Sequence, residues 1–149
     1  MSLLILVHHG DAVGPGVDPM RPLSSVGRAA TDRIASAAAS RGIKPDAIWH
    51  SGKLRARQTA EIFWKVCNPL APLTAERGLL PDDPPQWMRD RLTGEDRTIL
   101  LVGHMPYLPR LLAMLTAAHD ERAGSFPLHG CVALEADGEH WKEIWRLES

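Results

Sequence analysis

The sequence predicts an α/β fold: a three-layer sandwich with a mostly parallel sheet, helices on both faces and an antiparallel hairpin at its C-terminal edge. Three observations predict it. Residues 3–7 (LLILV) and 98–102 (TILLV) are continuous apolar runs, and strands without polar alternation suit sheets buried on both faces. Segments with helical apolar spacing separate the strand candidates, so the two element types alternate. The chain closes with two β-rich runs joined across Asp137-Gly138, a good hairpin signal.

Taken in order, the first strand runs into His8-His9-Gly10, and a loop over residues 11–22 follows, punctuated by Pro15, Pro19 and Pro22. A helix then starts at Ser24 or Ser25, both good N-caps, with Val26, Ala29, Ala30, Ile34 and Ala37 at helical spacing and a stop at Arg41-Gly42. Residues 46–50 (DAIWH) form a second strand. Residues 53–66 form a helix turning Ala56, Thr59, Ala60, Phe63 and Cys67 to the core. A short strand lies within 73–80, and Asp83 before Pro84-Pro85 caps a helix running to Leu92. The strand at 98–102 ends in Gly103-His104. Pro106 and Pro109 are compatible only with the start of the next helix, whose apolar face continues through Leu111, Leu112 and Leu115. Strands at 130–136 and 140–147 complete the chain.

At 149 residues, one domain spanning 1–149 is expected. The 44% hydrophobic and 23% charged content is that of an ordinary globular protein, not a disordered one. Seventeen basic against eighteen acidic residues give a net charge of -1, which argues against a nucleic-acid-binding face or an anionic-membrane anchor. No apolar run approaches the ~18 residues of a membrane span, and the first run lacks the basic flank and cleavage site of a signal peptide. Cys67 and Cys131 cannot build a disulfide framework and read as small hydrophobes in a reducing compartment. A soluble cytoplasmic protein is expected.

Two apolar strands end in histidine, at His8-His9 and at His104. Ligands of open α/β sheets bind beyond the carboxyl ends of the strands, so histidines from two strands can meet in one crevice. Gly10 and Gly103 beside them permit close backbone approach. One strand-end histidine alone is more often a solvent-facing cap; two together point to a site. Arg55 lies near the start of the second helix, where free N–H groups and a guanidinium fork suit an anion. Arg21, in the loop before the first helix, can reach the same crevice, whereas Arg57 reads as a solvated surface residue. A metal site from His8, His9, His50 and His104 ranks far lower: no HExxH or CxxC spacing supports it, and adjacent residues on a strand face opposite ways unless the strand has ended. His119, His129 and His140 read as surface residues, and the five tryptophans as packing residues, with Trp87 nearest the expected pocket rim.

The ordered set His8-His9-Gly10, Arg21-Pro22-Leu23-Ser24 with Gly27, Ser51 through Thr59 (SGKLRARQT) and Gly103-His104-Met105-Pro106 resembles the histidine phosphatase superfamily, and within it the small SixA-type phosphohistidine phosphatases. The motif resemblance covers residues 3 to about 106. It implies that His9 is the nucleophile that becomes phosphorylated, that Arg55, His104 and Arg21 surround the phosphate with Gly10, and that no metal or organic cofactor is needed. His8 stands where the family motif has arginine. Histidine has an ordinary pKa near 6.5, and a bound phosphate dianion favours its charged form. The expectation is therefore a weaker activity shifted towards low pH, with His8 as a substitute cation in the phosphate site. For protonating the leaving group, Asp82 is preferred among Glu76, Asp82, Asp83 and Asp11, although helix capping explains Asp82 equally well. The resemblance implies hydrolysis of phosphohistidine in a protein, such as a histidine phosphotransfer domain in signal transduction, or of a small phosphate ester. The alternative is a weakened or inactive module that binds phosphate or a phosphoprotein because His8 replaces the arginine.

Overall fold

A computed structural model describes residues 2–117 and 125–149. His119 lies outside the described residues. The elements follow in the order β1 (Leu3–His8), α1 (Ser25–Ser40), β2 (Ala47–His50), α2 (Leu54–Cys67), β3 (Leu73–Ala75), α3 (Pro85–Leu92), β4 (Ile99–Gly103), α4 (Tyr107–Thr116), β5 (Cys131–Asp137) and β6 (His140–Leu147). The sheet has six strands in the order β3-β2-β4-β1-β5-β6. The pairs β2–β3, β2–β4 and β1–β4 are parallel, and β1–β5 and β5–β6 are antiparallel. The predicted class, with its antiparallel edge, is the observed one.

Burial explains the apolar runs. Along β1, Leu4 and Leu6 enter a core beneath α3 and α4, whereas Ile5 and Val7 enter a second core beneath α1 and α2. Leu101 and the pair Leu100 and Val102 divide in the same way along β4. Alternate side chains of a strand point to opposite faces, so a strand covered twice must be apolar throughout. Fully burying one such side chain contributes about 1.5–3 kcal/mol.

Helix α1 departs from its predicted face. Val26 enters neither core and is 70% exposed, and Gly27, Thr31, Ile34, Ala35 and Ala38 are the buried positions. Small residues set this face because the helix lies close against the chain after β1. A Cβ at Gly27 would run into the Asp11 carbonyl, and one at Gly10 into Thr31 Oγ1. Ser24 is the N-cap, its Oγ accepting from the Gly27 amide at 2.9 Å. Asp83 does not cap α3: Pro84 holds the N-cap position, and Asp83 Oδ2 accepts from the Leu80 amide at 2.9 Å, closing the preceding turn. The hairpin turn is also displaced by one residue, since Asp137 pairs with His140 and leaves Gly138 and Glu139 as its tip. Gly138 has φ +63°, the left-handed conformation that a two-residue turn requires and glycine adopts readily.

Among the described residues, no helix is long and apolar enough to cross a membrane. Cys67 and Cys131 are free thiols, half-buried and buried respectively, and burial pushes their pKa up to about 11 and about 12.

Candidate active site

The parallel register of β1 on β4 sets His8 beside Gly103. His9 and His104, the next residues in each strand, therefore emerge together at the carboxyl end of the sheet, with ring centroids 5.0 Å apart. β1 ends at His8, so the alternation of faces no longer separates His8 from His9, and their rings lie 4.4 Å apart. The chain beyond the strand is fixed by α2. The Gly10 amide donates to Thr59 Oγ1 at 2.9 Å, Thr59 Oγ1 donates to the Arg55 carbonyl at 2.8 Å, and the Leu23 amide donates to Gln58 Oε1 at 2.8 Å. Residues 55–59 thus tie the His9 turn and the Arg21 loop to one helix. Because its N–H is already committed to Thr59, Gly10 acts here through close packing and not as a phosphate donor. Gly103 has no such constraint, since a Cβ there would meet Leu108 at an ordinary 3.4 Å.

Hydrogen bonds fix the protons on the imidazoles. The acceptor of His9 Nδ1 is the Gly10 carbonyl at 2.8 Å; a carbonyl only accepts, so Nδ1 carries the proton and Nε2 keeps its lone pair. Burial is the chief cause that lowers the His9 pKa to about 4, with repulsion from Arg55, His129 and Arg21 adding to it and the Gly10 bond opposing it. His9 is neutral near pH 7, which a nitrogen nucleophile requires. His104, 2% exposed, is pushed down to about 3 by burial and by His9, Arg55, Lys53 and Arg21. Its Nε2 lies 2.7 Å from Ser51 Oγ, and its buried Nδ1 has no hydrogen-bond partner in the protein.

Arg55 is half-buried and likewise has a buried Nε without a protein partner. Burial and then Arg21 lower its pKa, although an arginine remains charged throughout the ordinary pH range. Arg21 sits at φ +50° and donates from Nε to the Val13 carbonyl at 3.0 Å. Two guanidiniums and unpartnered polar atoms on Arg55 and His104 make an environment that suits an anion.

His8 differs from expectation. Its Nδ1 accepts from the His129 amide at 2.8 Å. An amide only donates, so the neutral ring carries its proton on Nε2. A second proton would have to enter between two donors. Burial, then His9, His129, His104 and Arg55, push the His8 pKa down to about 3. His8 is thus a neutral N–H donor and not the substitute cation expected from its place in the motif.

His129 is likewise not a surface residue. It is half-buried, its ring stacks on His8 at 4.8 Å with 7° between planes, and its Nδ1 donates to the His9 carbonyl at 2.7 Å. The sequence signal available for it was its place before β5: a strand antiparallel to β1 begins where β1 ends. His50 is buried and its Nδ1 accepts from the Gly52 amide at 3.0 Å, so it supports the turn after β2. His140 is exposed at the hairpin.

Among the described residues, the imidazoles of His8, His9 and His129 have ring nitrogens within 4.8 Å of one another, a spacing that invites a metal ion. The hydrogen bonds leave lone pairs on His9 and His129 but a proton on the outer nitrogen of His8. The guanidiniums that repel a proton from His9 also repel a dication. The set fits an anion better than a metal.

A cavity of about 390 Å³ adjoins the site through Ser51, lined also by Glu76, Arg77, Leu80, Asp83 and Trp87. Trp87 is therefore a rim residue, as its sequence position suggests. Asp82 is exposed and outside this lining, so the carboxylates near the site are Glu76 and Asp83. Arg91 bonds Glu76 at 3.0 Å and also stacks over Trp49 at 4.0 Å. The Arg91 and Thr74 hydrogen bonds hold the Glu76 carboxyl below its usual range against a smaller opposing effect of burial, which makes it a poor proton donor. Asp11 Oδ2 accepts from Ser24 Oγ at 2.7 Å, at the start of α1.

Neither a family model nor a curated protein matches the sequence. Solved structures do match over nearly the whole chain. The protein histidine phosphatase SixA, solved with tungstate, superposes with a TM-score of 0.86 at 22% identity, covering 98% of this chain and 96% of that one. A chain from Agrobacterium tumefaciens, provisionally assigned as a SixA phosphohistidine phosphatase, gives 0.81 at 23% identity, covering 99% and 98%. The alpha-ribazole phosphatase of Shigella flexneri gives 0.75 at 16% identity, covering 95% and 94%. The chain has the histidine phosphatase fold, in the compact form shared with SixA.

Proposed function

We propose that this chain is a phosphatase that transfers a phosphoryl group from phosphohistidine in a protein to its own His9 and then to water. The observation that carries the reading is the neutral His9 ring, with Nδ1 bonded to the Gly10 carbonyl and Nε2 unprotonated beside Arg55, Arg21 and His104. Nε2 attacks phosphorus and forms an N–P bond as the substrate's P–N bond breaks. The phosphoryl oxygens are held by the guanidiniums of Arg55 and Arg21, by His104 and by the Nε2–H of His8, donors placed where charge spreads in the transition state. Water then attacks the phosphorus, releasing orthophosphate and restoring the His9 lone pair.

Two features support phosphohistidine over a sugar phosphate. Glu76 is held in an ion pair with Arg91 and Asp82 faces solvent, and an imidazole leaving group needs less protonation than an alkoxide. The cavity beyond Ser51 has an exposed rim, with Trp87 58% and Leu80 41% accessible, which suits a side chain presented by a protein. The free thiols fit the cytoplasm. The test is phosphate release from a phosphohistidine-bearing carrier protein by wild type and His9→Ala. Release that disappears in His9→Ala is expected. Binding of the phosphorylated carrier without release by wild type would instead favour a phosphoprotein-binding module.

A further inference from the structure

His129 has no part in the mechanism above, yet it touches both histidines at the end of β1 from 120 residues away. Its amide donates to His8 Nδ1, its ring nitrogen to the His9 carbonyl, and its ring lies flat on that of His8. It does so from φ +54°, a left-handed backbone that side chains other than Asn, Asp and His seldom adopt. Gly130 follows it, where a Cβ would run into the Leu147 carbonyl, and the Gly130 carbonyl accepts the His8 amide at 2.9 Å. The start of β5 is therefore built around the end of β1, and the two residues at that junction set the state of His8.

We propose that His129 is a positioning residue of the active site: it locks His8 as the Nε2–H tautomer and pins the main chain that carries His9. The inference rests on the phosphoryl-transfer reading for its catalytic consequence, but the lock itself does not. The groups facing His8 are His9, His129, His104 and Arg55; all are neutral or cationic, so none draws a second proton onto its ring. Protonating Nδ1 would also put two N–H groups against each other across the present 2.8 Å bond. The lock makes His8 a donor of constant charge. Binding of a phosphate oxygen to it needs no proton uptake, and its contribution does not vanish as pH rises through 6.5.

The test uses the whole chain with ¹⁵N-labelled histidine, as wild type, His129→Gly and His129→Asn. Glycine accepts the left-handed backbone and keeps the amide but removes the ring. Asparagine also tolerates that backbone and offers a side-chain N–H to the His9 carbonyl. Long-range proton–nitrogen spectra of wild type read the tautomer directly, with the His8 proton expected on Nε2 from pH 8 to 5.5. A proton on Nδ1, or an imidazolium at pH 5.5, overturns the lock. With para-nitrophenyl phosphate as probe, turnover is expected to fall about 10-fold or more in His129→Gly, the size seen when supporting partners of reactive groups are lost. His129→Asn should recover most of that loss. A purely structural role would lower thermal stability but leave turnover of the folded protein unchanged, whereas the positioning role predicts a loss in His129→Gly that His129→Asn recovers, with the His8 proton on Nε2 in both variants because the backbone amide remains. Turnover equal to wild type in His129→Gly, or a loss of the same size in His129→Gly and His129→Asn, overturns the positioning role. Should wild type show no turnover, the phosphatase reading fails while the spectra still decide the lock.

Discussion

Lowering the pH from 7.5 to 5 should destabilise this protein steeply, because the site stores neutral imidazoles. His8 and His104 are 4% and 2% exposed and titrate near 3, and half-buried His9 titrates near 4. In the unfolded chain each returns to about 6.5. Below that value the unfolded state takes up protons that the folded state refuses, so stability present at pH 7.5 is lost as the pH falls, down to the folded values. At pH 5 the loss is about 2 kcal/mol for each fully buried histidine and somewhat less for His9, giving roughly 4–6 kcal/mol in all. Carboxylates, with ordinary pKa values near 4, contribute little in this window. For a chain of this length that corresponds to a fall in melting temperature on the order of 10–20 °C. Urea unfolding at pH 7.5, 6 and 5 reads the loss, and a saturating phosphate or tungstate anion should raise the midpoint at each pH by binding the folded state alone. A midpoint that stays level between pH 7.5 and 5 would refute the argument that these imidazoles are held neutral.

Other perturbations reach the site from outside it. Thr59 is fully buried, so Thr59→Val strands the Gly10 amide; the expected loss is about 1–3 kcal/mol of stability, with a lower turnover as the His9 turn loosens, read by unfolding and kinetics together. Gly27→Ala drives a methyl into the Asp11 carbonyl and should cost about 1–3 kcal/mol, measured by denaturant midpoint against the exposed control Val26→Ala. Arg55→Lys keeps the charge but loses the fork, and phosphate-ester turnover should fall roughly 100-fold while stability changes little.

The strands and the two histidine-bearing ends were legible because burial on both faces leaves no room for polar residues. The runs at 3–7 and 98–102 accordingly announced themselves, and their adjacency followed from parallel pairing. Helix α1 was legible in extent but not in rotation: its contact with the chain after β1 is made by Gly27 and Thr31, and the helical spacing of apolar residues favoured Val26 instead. His129 was illegible for a different reason. Its place before an antiparallel edge strand could be read, but its contacts depend on a left-handed backbone and on β5 pairing directly with β1, which the residues around it do not declare. The state of His8 followed the same course, since the motif position suggested a cation and only the His129 amide reveals a neutral donor. Asp82 and Asp83 were neighbours in sequence with opposite surroundings, decided by the turn that the Leu80 amide closes.

The measurement closest to the central claim is capture of the phosphorylated chain. Wild-type protein mixed with phosphoramidate, a small phosphoryl donor with a P–N bond, is quenched in alkali, where phosphohistidine survives, and mapped by mass spectrometry. One phosphoryl group is expected, on His9, absent from His9→Ala and discharged as orthophosphate on dilution into neutral buffer. Turnover without phosphate on His9, or phosphate on His104 or His129 instead, would contradict it.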